Sequence, residues 1–316
     1  MQALRITDFG PPENLHLSDV EHPRLSADEA LVEIHAAGLN PSDIGNAAGR
    51  FTQTDLPRIL GRDFAGIVIE GPEHMLGHEV WGGGAEFGFT RDGSHAEYIA
   101  APSAVLCPKP VNLSMEQASA VATPFVTAWL SLEASQLQAG QSLLVMGARG
   151  AVGNAALQLG KARGLRLFGA QRGELPTEDM YKAINTEHPD AQQELLKLTQ
   201  GRGVDACIDT VGGPLFNLGL SCLTHSGCLI AITARAEGIV QFNMRNFYHR
   251  ELRLFGVNSL NCGATQTRDV LNKLRQDFEA GELHAPNIRT FPLHEAPQIY
   301  QQLAQGVLGT KAVFVP

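Results

Sequence analysis

The first hundred residues alternate short apolar runs with turn residues. Residues 3–6, 30–36, 64–70, 78–81 and 96–100 read as β-rich runs, with Gly, Pro, Ser or Asp between them. Strands of this length and spacing predict a compact, mostly β, barrel-like unit. Near residue 113 the pattern changes. Ser114 followed three residues later by Gln117 has the form of a capping box, so a helix is expected from there to about residue 122. Thr123-Pro124 then interrupts, and a helix resumes over residues 127–137. Residues 142–146 form a continuous apolar run, the mark of a buried parallel strand. Beyond it the two periods alternate. A helix over 152–163 has Val152, Ala155, Ala156 and Leu159 on one face, and a strand at 165–170 follows. Then come helix 191–199, strand 206–209, helix 215–222 and strand 228–233. Such alternation predicts a doubly wound parallel sheet. The tail adds helices at 269–280 and 296–305 and a strand at 311–315. The expected class is α/β, with a doubly wound domain over 116–263 inserted into a β-rich domain built from 1–115 and 264–316.

Composition narrows the function classes. The 316 residues give room for two domains of roughly 150. With 44% hydrophobic and 18% charged residues, the chain buries a core rather than remaining disordered. No run approaches the roughly 18 apolar residues of a membrane span. The first ten residues carry Asp8 and no apolar stretch of a secretory signal, so a cytoplasmic protein is expected. A net charge of −9 with no dense basic cluster argues against nucleic acid as the main partner. The five cysteines are scattered without a CxxC pair, which disfavours both a disulfide scaffold and a four-thiolate zinc site.

Glycine is abundant, and its placement matters. Gly147-Ala148-Arg149-Gly150-Ala151-Val152-Gly153 follows the apolar strand directly and opens a helix. A glycine turn in that position aims backbone N–H groups and the helix N-terminus at a pyrophosphate. Gly150 allows close backbone approach and Gly153 close helix–strand packing, while Ala148 stands where the usual pattern has its first glycine. The expected dinucleotide-binding set is Ala148, Gly150, Ala151, Val152 and Gly153. The bland alternative is a glycine-rich turn with no ligand. The next strand ends at Ala170-Gln171-Arg172, with Arg172 nineteen residues past Gly153. An acid there would bind a ribose 2′-hydroxyl; an arginine favours a 2′-phosphate. NADP(H) is therefore expected over NAD(H), unless Arg172 is merely solvated and Glu174 takes the ribose.

Several further motifs stand in a familiar order. They are Ala37-Gly38-Leu39-Asn40-Pro41-Ser42-Asp43, Gly61-Arg62-Asp63-Phe64-Ala65-Gly66, Gly93-Ser94-His95-Ala96-Glu97-Tyr98, residues 123–129, residues 204–213 and residues 309–313. With the glycine turn, they resemble the medium-chain dehydrogenase/reductase superfamily, specifically its zinc-free quinone oxidoreductase (zeta-crystallin-like) branch. The resemblance implies a GroES-like domain from the N-terminal part and the tail. It implies a Rossmann domain in the middle and substrate in the cleft between the two. Zinc-dependent relatives place Cys, His-Glu and Cys at the catalytic metal. The matching positions are Asn40, Arg62-Asp63 and Thr123, a poor donor set, and residues 71–102 lack the cysteines of a structural zinc loop. No metal is expected, and His74 and His78 read as surface residues.

Without a Lewis acid the acceptor must already be electron-poor, as a quinone or enone is. The resemblance then makes Asn40 the first candidate for hydrogen bonding the acceptor or the ribose, or simply a pre-proline turn residue. Asp43 and Arg62 are expected to pair in place of the metal, in a catalytic role, a structural one or both. Thr123 and Thr127 are expected beside the nicotinamide, with helix packing as the alternative for Thr127. Ser42 takes the relay position of the zinc relatives, and Tyr98 is expected to pack within the β domain. The chain departs from the family at Thr186, where a tyrosine often helps hold the 2′-phosphate. It departs again in the short segment 173–183 with Pro176, and in Gly45-Asn46-Ala47-Ala48, where an aromatic is frequent. The expected function is an NADPH-dependent quinone or enone reductase. A 2-enoyl thioester reductase is an alternative, disfavoured because no tyrosine precedes Tyr98. A non-catalytic NADPH-binding protein is another. Residues 251–257 read as a last sheet strand, the edge through which the family forms a homodimer.

Overall fold

In the computed structural model, residues 1–175, 180–234 and 238–316 are described. Pro176, noted above, lies outside them. The chain divides into two compact units, residues 1–126 with 259–316 and residues 127–258. These divisions fall after 126 and 258, rather than after 115 and 263 as the change in sequence pattern suggested.

The first unit contains β1 (Gln2–Ile6), β2 (Leu17–Asp19), β3 (Glu29–Gly38), α1 (Pro41–Ala47), β4 (Arg58–Ile59), β5 (Asp63–Glu70), β6 (Glu79–Gly82), β7 (Tyr98–Pro102), β8 (Cys107–Pro108) and α2 (Met115–Ser119). It also holds the start of α3 (Ala122–Ser135), whose later residues belong to the second unit. That unit continues with β9 (Ser142–Met146), α4 (Ala151–Ala162), β10 (Arg166–Gln171), β11 (Lys182–Asn185), α5 (Ala191–Leu198), β12 (Val204–Asp209), α6 (Pro214–Cys222), β13 (Leu223–Ala231), α7 (Met244–His249) and β14 (Arg253–Gly256). The chain then returns to the first unit with α8 (Ala264–Glu279), β15 (Ile288–Pro292), α9 (Ala296–Ala304) and β16 (Lys311–Val315).

β3 organises the first unit because it changes partner along its length. Its residues 29–33 pair with β7, Ala37 and Gly38 pair with β16, and β5 runs along its other side. The last strand of the chain is thereby joined to the residues just before α1. Leu39 also donates its N–H to the Ala312 carbonyl at 3.0 Å. One apolar cluster, with Val32, Ile34, Phe64, Val68 and Ile99, lies within this sheet. A second gathers Leu4, Leu39, Leu60, Tyr300 and Phe314 around α9.

The second unit is a six-stranded parallel sheet in the order β11-β10-β9-β12-β13-β14. The chain order reverses between β9 and β12, the point where open α/β sheets bind ligands outside their carboxyl ends. The core strands β9 and β12 are buried throughout, as their unbroken apolar runs require. A GroES-like β-rich domain and a Rossmann domain are thus both present.

Some local expectations change. Thr123-Pro124 does not interrupt a helix; it lies in the first turn of α3, where an intrahelical N–H partner is not needed. β13 and α8 each begin five residues earlier than expected, at Leu223 and Ala264. The α2 segment packs on β3 and β5, which assigns it to the β-rich unit. Tyr98 is half-buried on β7, with its ring 4.8 Å from that of His22.

Gly66 in β5 faces the carbonyl of Glu33 so closely that an added Cβ would lie 2.0 Å from its oxygen. Gly66→Ala is expected to destabilise the protein by about 1–3 kcal/mol through overpacking. Gly77, at φ +75° with open space around it, meets no such neighbour. Gly77→Ala is expected to cost about 1 kcal/mol, from backbone handedness alone. Urea unfolding of the two variants checks the order.

Candidate catalytic and cofactor-binding residues

In the first unit, two polar residues from distant parts of the sequence, Asn40 and Thr123, meet on Asp63. Its carboxylate accepts from Asn40 Nδ2 at 2.9 Å, from Thr123 Oγ1 at 2.7 Å and from the Thr123 N–H at 3.1 Å. The Asn40 Oδ1 accepts in turn from Lys311 Nζ at 2.5 Å. Both ends of the Asn40 amide are therefore fixed, which also settles its orientation: the oxygen faces the ammonium and the nitrogen the carboxylate. The join of β16 to β3 explains how Lys311 reaches Asn40. Lys311 is partly buried. Burial pulls its ammonium below the ordinary lysine range, while Asp63 and Asp43 pull it back up.

Asn40 and Asp43 also begin α1. Asp43 Oδ2 accepts from the Asn40 N–H at 2.7 Å, the returning half of a capping box. Its Oδ1 is buried and, among the described residues, has no hydrogen-bond partner. The expected ion pair between Asp43 and Arg62 is not formed. The buried guanidinium instead donates to the carbonyls of Gly84 at 3.2 Å and Ser259 at 3.4 Å, and to Ser42 Oγ at 3.5 Å. The reason is local: the carboxylate is turned onto the helix start, and the guanidinium is taken up by backbone. Burial pushes the Asp43 carboxyl up to about 7, against opposing pulls from the Asn40 N–H, Arg62 and Lys311. Nearby, Tyr300 and His95 are both fully buried. His95 Nε2 faces the Gly38 carbonyl at 3.5 Å, which can only accept. Nδ1 therefore accepts from the Tyr300 hydroxyl at 2.7 Å. Burial pushes the His95 imidazole down to about 3, so it is neutral.

In the second unit the glycine turn sits at the carboxyl end of β9. Gly147, at φ +79°, and Ala148 both donate their N–H groups to the Ala170 carbonyl, at 2.8 and 3.2 Å. A Cβ on Gly153 would lie 2.2 Å from the Gly147 oxygen. Gly150 is the N-cap of α4 and offers no side-chain acceptor, so the first amides of that helix are uncapped by any side chain. Ala148 is buried, whereas Arg149, Gly150 and Arg172 are exposed. The site faces β12, whose Asp209 Oδ1 accepts from the N–H groups of Val211 at 3.0 Å and Gly212 at 2.8 Å. Thr127 is buried on α3, with its carbonyl accepting from Ser131 Oγ at 2.7 Å. Thr186, in place of the family tyrosine, donates from Oγ1 to the Gln171 carbonyl at 3.2 Å.

Comparison with known proteins agrees with this arrangement. Residues 26–111 match the alcohol dehydrogenase GroES-like domain, and residues 151–276 match the zinc-binding dehydrogenase domain. A zinc-type alcohol dehydrogenase-like protein of Schizosaccharomyces pombe is 36% identical over 293 residues, covering 91% of this chain and 88% of the relative. The chain belongs to the medium-chain dehydrogenase/reductase superfamily. The human quinone oxidoreductase is 26% identical over 314 residues, covering 97% of this chain and 94% of that one. A crystal structure of an NAD-dependent alcohol dehydrogenase superposes with a TM-score of 0.90 at 27% identity, covering all of both chains. The protein is thus a nucleotide-binding oxidoreductase, and among the described residues no helix is long and apolar enough to cross a membrane.

Two groups implied by this superfamily can be tested against the donors present. A nicotinamide dinucleotide fits: Gly150 brings no side chain to the start of α4, where a pyrophosphate would lie, and the uncapped amides of Ala151, Val152 and Gly153 suit its charge. A catalytic zinc ion does not fit at the Asn40, Arg62, Asp63 and Thr123 positions. Of these, only Asp63 is a strong ligand, and its oxygens are already held by Asn40 and Thr123. Lys311 and Arg62 place positive charge beside it. Reading the sequence did not single out Lys311 as a site residue. It stands there as the first residue of a terminal strand, within the 309–313 stretch that resembles the family, and the pairing of β16 with β3 is what gives it a role.

The raised Asp43 carboxyl has a consequence for stability. Its folded value, about 7, exceeds its usual 3.8, so the folded state holds the proton more tightly. The stabilisation this gives is complete below about pH 4 and is lost as pH rises through 7. Asp43→Asn removes that term. The variant is expected to gain on the wild type between pH 4 and 8, by at most about 4 kcal/mol. Urea unfolding of both proteins across this range measures the difference.

Proposed function

We propose that this oxidoreductase transfers a hydride from NADPH to a quinone or another conjugated carbonyl acceptor, with no catalytic metal. The observation that carries this reading is the pinned Asn40 amide. Lys311 draws charge from its oxygen, Asp63 takes one of its N–H groups, and among the described residues no partner takes the second, which could donate to a ligand. A polarised, immobile donor of this kind stabilises oxyanion charge as it develops, without reorganising at that moment. It is weaker than a Lewis acid, so the acceptor must bring its own conjugation. The likeness to the human quinone oxidoreductase supports the same substrate class.

The cofactor, when bound, supplies the hydride; the chain holds and aims it. Ala148 and Gly150 would admit its phosphates closely, and the amides of Ala151, Val152 and Gly153 would meet their charge. Thr123 and Thr127 are proposed to lie on its nicotinamide side. Arg172, exposed at the end of β10, supports the phosphorylated cofactor over NADH. The five cysteines are all free, which suits a cytoplasmic setting.

Absorbance at 340 nm tests the reading. NADPH and NADH are offered with 1,4-benzoquinone, 9,10-phenanthrenequinone and an enone, with and without a zinc chelator. NADPH oxidation indifferent to chelator is expected, and Asn40→Ala is expected to lower kcat roughly 10²–10³-fold, as for loss of an oxyanion donor. Chelator-sensitive turnover would sink the metal-free reading. Binding without turnover on any acceptor would favour a thioester reductase or a non-catalytic binder.

We also propose that the 251–257 edge pairs with a second copy of the chain. β14 is an edge strand with Leu254 and Phe255 exposed at 42% and 37%, a surface that a second strand would cover. Phe255→Arg is expected to convert a dimer to a monomer in sedimentation velocity. An unchanged mass would remove this edge from consideration.

A further inference from the structure

We propose that Arg149, inside the glycine turn, is a second determinant of cofactor choice and clamps the 2′-phosphate together with Arg172. This inference rests on the reading that a dinucleotide binds at the turn.

Placement comes first. β9 and β10 are adjacent and parallel, with Met146 opposite Ala170. The turn after β9 is stitched to the end of β10, because the Gly147 and Ala148 N–H groups share the Ala170 carbonyl. Arg149 stands three residues past Met146, and Arg172 two residues past Ala170. The two arginines therefore leave neighbouring strand ends on the same edge of the sheet.

Charge comes second. Both side chains are exposed, and among the described residues neither guanidinium is engaged in an ion pair or hydrogen bond. Some other arginines of this unit are committed, Arg163 to Glu133, Arg202 to Asp205, and Arg250 to the carbonyls of Leu220 and Leu223; Arg245 and Arg253, like Arg149 and Arg172, make no ion pair among the described residues, but they lie away from the glycine turn in sequence. Arg172 also has acidic company. Glu174 is two residues on, and Glu187 Oε2 accepts from the Gly173 N–H at 3.1 Å. One arginine beside these carboxylates leaves little surplus positive charge for a phosphate dianion. A second arginine from the neighbouring strand end restores it, and two planar forks can hold the three phosphate oxygens. The pyrophosphate does not need Arg149, because the α4 amides already face it.

The test separates phosphate positions. Wild type, Arg149→Ala, Arg172→Ala and the double variant are titrated calorimetrically with NADP⁺, NAD⁺, adenosine 2′,5′-bisphosphate and adenosine 5′-monophosphate. Arg149→Ala is expected to weaken NADP⁺ and the bisphosphate by about tenfold or more. NAD⁺ and the monophosphate are expected to stay within about twofold, since they lack the 2′-phosphate that the arginine would meet. Equal weakening of NADP⁺ and NAD⁺ would assign Arg149 to the pyrophosphate and overturn the inference, as would no change in any ligand. The outcome is distinguishable from failure of the NADPH reading itself. If wild type prefers NAD⁺, the NADPH reading fails; a selective loss of bisphosphate binding in Arg149→Ala would still establish the clamp. Thermal melts of each variant check folding, which an exposed arginine without partners is not expected to disturb.

Discussion

Everything the Rossmann unit does for a ligand depends on one close approach: the start of α4 against the end of β9. The Gly147 oxygen lies where a Gly153 Cβ would come within 2.2 Å, so only glycine lets the helix dock this tightly. That docking turns the first helical amides toward the carboxyl end of the sheet. Thr210 closes the other side, donating its hydroxyl to the Met146 carbonyl at 2.6 Å. The proposed phosphate cradle is thus a result of packing geometry, built from backbone amides, with Arg149 the exposed charged side chain that borders them. Charge enters only through side chains added at its rim.

The β-rich unit follows a different logic. Its polar centre is a chain of donors and acceptors running from Lys311 through Asn40 to Asp63 and Thr123. A buried carboxylate needs compensating partners, and here it has three hydrogen bonds and nearby positive charge. A chain of this kind behaves as a unit. Removing Lys311 would leave the Asn40 oxygen without its donor, and a freed amide can flip. The cation's effect is therefore as much on the orientation of Asn40 as on the local potential.

How much of this was legible beforehand depends on sequence distance. The Rossmann unit could be read because each of its signals is local: an unbroken apolar strand, a glycine turn and a helical period follow within about thirty residues. The glycine turn itself sits where the pattern put it. The polar centre of the β-rich unit was only half legible. Asn40, Asp63 and Thr123 drew attention as positions where zinc relatives have ligands, but their mutual hydrogen bonds were not foreseen. Lys311 lies in the 309–313 motif but was given no site role, because that role exists only once β16 joins β3. The Asp43–Arg62 pair was expected as an ion pair taking the place of the relatives' metal. That argument overlooked the competing demand of a helix start for a carboxylate and of buried carbonyls for a guanidinium. Pro124 misled for a related reason, since a proline interrupts a helix interior but suits its first turn.

These two units use positive charge in opposite ways, and burial is the reason. In the β-rich unit, Arg62 is buried and Lys311 partly buried, and both are hydrogen-bonded to fixed protein acceptors. Their charge is committed before any ligand arrives, so it can polarise a neighbouring amide but gives little selectivity for an anion. Arg149 and Arg172 are exposed and uncommitted. Water screens them, so they contribute little to stability, yet both remain able to pair with an incoming phosphate. An anion that displaces this water gains the full charge-assisted contact. On the function proposed above, selection between two cofactors that differ by one phosphate would belong at the exposed rim of the sheet, and stabilisation of charge developing on an acceptor at the buried, pinned amide.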